Sequence, residues 1–117
     1  MYNITTSNKP ILYATRKNFI ITNSYISEIQ GNGEITDTTL LKFDTESNIY
    51  ASLDIINTTI SNCVTNNPLI KILAEKSNAV NFNDVIINNI QSYGPLIENT
   101  VNNVIFNIYI YIFLIIW

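Results

Sequence analysis

Acid–base or metal chemistry in this chain would have to run on carboxylates, because the sequence contains no histidine and a single cysteine, Cys63. Without histidine the commonest general base, the usual metal ligand and the usual activator of a Ser or Cys nucleophile are all missing. One thiol cannot assemble a familiar zinc ligand set or close a disulfide within the chain. Cys63 falls at an apolar position of a recurring pattern, which marks it as a buried, inert thiol, the alternative being a reactive or intermolecularly bonded one. No GxxxxGK[ST] or GxGxxG phosphate loop occurs, and Gly31–Asn32–Gly33 reads as a turn.

The carboxylates fall into two groups. Glu34 and Asp37 sit in the segment QGNGEITD (Gln30 to Asp37), with Glu28 just before it. That segment reads either as a ligand-facing loop or as a solvated turn in which Gly31 and Gly33 permit tight or left-handed backbone. Asp54 and Asp84 lie in neighbouring repeats but in different columns, and the one arginine, Arg16, precedes the repeats. Paired carboxylates must face each other across a substrate, and no such pair is visible. No catalytic, cofactor-binding or metal-ligating residue is assigned. Tyr25, Tyr50 and Tyr93 offer aromatic faces for stacking on sugars, or else ordinary strand and turn packing. Two glycan sequons, Asn3-Ile4-Thr5 and Asn57-Thr58-Thr59, are of the kind that chance supplies in an Asn- and Thr-rich chain.

The elements that must position these groups are repeats. FIITNSYISEI (Phe19 to Ile29), LDIINTTISNC (Leu53 to Cys63) and VNFNDVIINNI (Val80 to Ile90) align with apolar residues in columns. The columns are Phe19/Leu53/Val80, Ile21/Ile55/Phe82, Ile26/Ile60/Ile87 and Ile29/Cys63/Ile90. Asn23, Asn57 and Asp84, residues that turn a chain, sit between the second and third columns. A fainter copy starts at Val104, with Phe106 in the second column. After each copy comes a short run, TTLLKF, NPLIKI or GPLIEN, in which Leu41, Ile70 and Ile97 are apolar while Lys42, Lys71 and Glu98 are charged. Such period-two alternation predicts a strand with one buried face.

The copies are spaced by 34 residues (Ile26 to Ile60), 27 (Ile60 to Ile87) and 24 (Val80 to Val104), the range of stacked repeat architectures. A leucine-rich repeat is rejected: Asn57 stands only two beyond Ile55, and a β-rich run rather than a helix follows each copy. The motif set, over Lys17 to Asn107, resembles the right-handed parallel β-helix repeats of the pectate-lyase-like superfamily. That resemblance implies an all-β, right-handed parallel β-helix of about three to four coils, each with three short strands. Inward residues would then stack at about 4.8 Å, and aligned amides, Asn62 on Asn89 and Asn23 on Asn57, would form hydrogen-bonded ladders that Asp84 interrupts. The hydrolases of the superfamily carry clustered aspartates with GHG and RIK-like stretches, and its lyases carry calcium-binding aspartates with a basic residue nearby; neither set occurs here.

Three segments are expected: residues 1–16 as a cap or partial coil broken at Pro10, residues 17–103 as β-helix repeats, and residues 104–117 as an apolar strand or truncated tail. Nothing in Met1 to Arg16 has the apolar core of a signal peptide, so the protein either stays inside or is read from downstream of its true start. The run VIFNIYIYIFLIIW is short of the roughly 20 residues that span a bilayer as a helix. It is expected to be a last coil lying against another chain, an unnatural terminus, or a truncated membrane anchor.

Charged residues make up only 13% of the 117 residues while apolar ones make up 47% and the net charge is −3. Polarity comes from Asn, Ser and Thr, and the lack of a basic stripe argues against nucleic acid as partner. Ile and Asn together form roughly a third of the chain, a usage that looks like the output of an AT-rich genome. The expected function is a non-catalytic length of β-helix in a cell-surface or secreted protein, serving as rigid spacer or recognition surface. Its partners would be carbohydrate, another protein, or further coils of a longer chain. The alternative is a fragment of a polysaccharide lyase or glycoside hydrolase whose catalytic coils lie outside this stretch.

Overall fold

The computed structural model describes residues 1–7, 9–32, 38–75 and 78–99, together with the strand path of 104–116. Every regular element is a strand and every strand pairing is parallel. In chain order they are β1 (Tyr2–Thr6), β2 (Leu12–Thr15), β3 (Phe19–Thr22), β4 (Tyr25–Gly31), β5 (Leu41–Asp44), β6 (Ser52–Thr65), β7 (Ile70–Leu73), β8 (Ala79–Ser92), β9 (Ile97–Asn99) and β10 (Val104–Ile116). One sheet runs β1-β4-β6-β8-β10 with β3 also on β6, and a second runs β2-β5-β7-β9. The chain alternates between the two sheets, so it winds as a parallel β-solenoid of about three turns.

The register is that of the sequence columns. Phe19 pairs with Leu53 and Leu53 with Val80; Ile21 with Ile55 and Ile55 with Phe82; Ile26 with Ile60 and Ile60 with Ile87. In the second sheet Leu41, Ile70 and Ile97 are in register, as are Lys42, Lys71 and Glu98. Val104 lies beside Val80 and Phe106 beside Phe82, so β10 continues the same rungs. The segment before Arg16 carries strands of its own: β1 on β4, and β2 on β5 with Leu12 beside Leu41 and Ala14 beside Phe43.

Each long run bends twice, and the bends explain its burial pattern. A straight strand would point every second residue inward. β6 instead buries Leu53 and Ile55, then Thr58 and Ile60, then Cys63 and Thr65. The spacing lengthens to three across Asn57 and Asn62, which adopt left-handed backbone with φ of 48° and 53°. One such residue rotates the chain through a corner and resets the alternation, so the next face again points inward. Asp84 and Asn89 do the same in β8, and Asn23 and Glu28 in the coil before. Asn and Asp adopt this backbone at little cost, whereas for other L-residues it costs roughly 1–2 kcal/mol, which is why five of these six corners are Asn or Asp.

Inside the tube Leu53, Ile55, Phe43, Ile70, Ile72 and Phe82 are almost completely buried. Each such side chain contributes roughly 1.5–3 kcal/mol, and only stacking of coils provides that burial. Gly31 is the last residue of β4 and serves a different purpose from the tight or left-handed turn expected of it. A Cβ there would stand 2.3 Å from the Thr38 carbonyl oxygen, so the residue is needed for close approach.

Candidate recognition surface

Among the described residues, the aligned amides Asn23, Asn57, Asn62 and Asn89 end up on the outside of this frame, each held by a neighbour one coil away. Asn57 donates from Nδ2 to Asn23 Oδ1 at 2.7 Å, and Asn89 donates from Nδ2 to Asn62 Oδ1. Asn62 in turn donates to Ser27 Oγ at 3.4 Å. Beside this second ladder Ser61 Oγ donates to the Tyr25 hydroxyl at 3.2 Å and lies 3.5 Å from Ser27 Oγ. Tyr25, one strand lower than Ser61, lays an exposed ring along a face of hydroxyls and amides. The Ser61 hydroxyl, and after it Ser27, hold the Tyr25 phenol below its ordinary value of 10.0, with desolvation and nearby Glu28 opposing. Hydrogen bonds donated to the phenol oxygen favour its charged form.

The three tyrosines do not share a platform. Tyr25 lies in β4, Tyr50 in the turn between β5 and β6, and Tyr93 in the bend after β8, so they project from different places on the coil with exposures of 58%, 84% and 58%. Tyr13 is occupied differently again, with the Lys42 ammonium 5.4 Å from its ring centre.

Among the described residues, the carboxylates singled out by sequence lie at separate places on the coil. Asp54 accepts from Asn81 Nδ2 at 2.9 Å, Asp84 occupies a corner, and Arg16 pairs with Glu46. Glu28 is an exposed corner residue, while Glu34 and Asp37 lie outside the described residues. Among the described residues no three His, Cys, Asp or Glu side chains gather as metal ligands, and no helix is long and apolar enough to cross a membrane. Cys63 is buried, donates to Ser61 O at 3.2 Å, and desolvation pushes its thiol up to about 11. Of the two sequons, Asn3 is exposed at a left-handed residue, and the Asn57 amide nitrogen is already engaged with Asn23.

Sequence reasoning missed one group that organises the loops. Asn78 is buried, donates from Nδ2 to Asn48 O and Ala51 O at 2.8 Å each, and accepts from Glu75 N. Asn48 has the corresponding role in the preceding coil, donating to Arg16 O and accepting from Tyr50 N. The available signal was an Asn standing shortly before each first-face strand.

No protein family, curated protein or solved structure matches this chain.

Proposed function

We propose that this chain is a non-catalytic length of β-solenoid that works as a rigid spacer and recognition surface in a cell-surface or secreted protein, with carbohydrate as the ligand class. The observation that carries the reading is the wall around Tyr25: an exposed ring whose phenol is fixed by Ser61, next to the amide ladder of Asn62 and Asn89. An aromatic body with a polar tip stacks on the apolar face of a sugar ring, while amides both donate to and accept from its hydroxyls. Low charge suits a neutral ligand. The resemblance to right-handed pectate-lyase-like β-helices belongs to the same proposal, supported by the parallel coils and by the general right-handedness of parallel crossovers.

The test is affinity electrophoresis through gels cast with soluble plant and microbial polysaccharides. At least one polysaccharide should retard the protein, and Tyr25→Ala should remove the retardation while leaving thermal unfolding unchanged. Free migration through every gel, or equal retardation of the Tyr25→Ala protein, would overturn carbohydrate recognition by this wall.

A further inference from the structure

We propose that Glu28 sets the specificity of the Tyr25 wall, which rests on the carbohydrate reading of that wall: with Asp84 at the opposite corner, Glu28 turns away sugars that carry carboxylates and leaves the surface to neutral glycans. The wall is the facet between two left-handed corners, residues 23–28, 57–62 and 84–89 in successive coils. None of the chain's six Lys and Arg falls in these three segments. Their charges are two carboxylates on one diagonal, Glu28 at the second corner of the lowest of the three coils and Asp84 at the first corner of the highest.

Glu28 is also the residue of its corner column least suited to the backbone it adopts. Asn3, Glu28, Asn62 and Asn89 have left-handed φ of 57°, 57°, 53° and 50°, and Ile4 beside Ile29 puts Asn3 in the same column. Asn tolerates that backbone where Glu does not, and an Asn at this corner would continue the column of amides. Residues held in such backbone gather at functional sites. Neither packing nor pairing accounts for the Glu: it is exposed, and its carboxylate forms no ion pair among the described residues. Its charge does reach the stacking ring, where it opposes loss of the Tyr25 phenol proton.

The facet is small enough for two charges to govern. Its corners are separated by about 16 Å of strand, and two rungs give it about 10 Å of height. A ligand carboxylate over the middle therefore stands about 10 Å from both acids, close to the Debye length of about 8 Å in physiological salt. At that distance each acid weakens binding of a single carboxylate by about twofold in low salt, and the effects multiply for a polymer that lays several on the facet. Neutral hydroxyls meet no such repulsion and find the amides and the Tyr25 ring open to them.

The test is chromatography in low salt on columns carrying the neutral polysaccharides of the gel panel, xyloglucan, mixed-linkage β-glucan and galactomannan among them. Each is coupled both as the neutral polymer and with part of its primary alcohols oxidised to carboxylates. At least one neutral polymer should retain the parent protein, and its oxidised form should bind at least about threefold more weakly. Glu28→Gln should strengthen binding to the oxidised form at least about twofold, and Tyr25→Ala in that background should abolish the gain. Glu98→Gln, which removes the same charge from β9 on the other sheet, should give no gain. Equal or tighter binding of the oxidised form by the parent would overturn the proposal and leave carbohydrate recognition standing. So would the lack of a gain from Glu28→Gln, an equal gain from Glu98→Gln, or a gain that survives Tyr25→Ala. Retention of the parent by none of the polymers, neutral or oxidised, would overturn both.

Discussion

Asn57 donates its side-chain proton to Asn23 Oδ1 across 34 residues of sequence and one coil of structure, and the ladder ends at the next coil because Asp84 has no proton to give Asn57. A carboxylate at a left-handed corner keeps the backbone geometry but supplies acceptors only. Asp84→Asn should add the missing bond, raising stability by about 0.5–1 kcal/mol. Urea unfolding should show a higher midpoint with an unchanged slope.

Of the six left-handed corners that bend the β3–β4, β6 and β8 runs, Glu28, with φ of 57°, is the one that is neither Asn nor Asp. Glu28→Asn relieves a non-Gly residue in the left-handed region and places an amide below Asn62. An increase of about 1 kcal/mol is expected, read as a rise in the thermal midpoint; an unchanged or lower midpoint would remove backbone strain as an account of this corner.

The Cys63 thiol couples stability to alkaline pH. Its folded value of about 11 lies above the ordinary 9.0, so the unfolded chain releases its proton first and deprotonation favours unfolding. Stability from this group is fully present below pH 9 and falls away between about 9 and 11, by about 2–3 kcal/mol in all. A Cys63→Val protein should lack this component of the loss when the two unfolding curves are compared across that range. At pH 8 the native thiol should resist alkylation and react only on unfolding.

Inward and outward assignments predict opposite tolerances. Ile60→Asp buries a carboxylate among Ile26, Ile87 and their neighbours and should abolish cooperative folding, a loss of more than about 4 kcal/mol. Lys71→Ser, on the outer face of β7, should stay within about 1 kcal/mol of the parent. Circular dichroism with thermal melts separates the two outcomes.

The columns were legible because stacked coils impose one register: once Ile26, Ile60 and Ile87 align, every neighbouring residue is placed. The Asn corners were legible for a related reason, since Asn is the residue that tolerates left-handed backbone. Glu28 hid its corner because Glu carries no such signature. The strands before Arg16 were obscured by weak inward residues, Leu12 and Ala14 in place of a run of Ile. Asn78 read as an ordinary loop amide because satisfaction by Asn48 and Ala51 across 27–30 residues depends on loop closure, which no local pattern reports. The wall at Tyr25 needed the register first, since Tyr25 and Ser61 meet only when coils 34 residues apart are superposed.

The stacking itself is most directly tested by methyl-labelled isoleucine and solution NMR. Contacts should run as a chain, Ile26 to Ile60 and Ile60 to Ile87 at about 5 Å, with none between Ile26 and Ile87, two rungs apart. Cross-peaks joining Ile26 directly to Ile87, or an Ile60 methyl that sees neither, would contradict the in-register parallel solenoid.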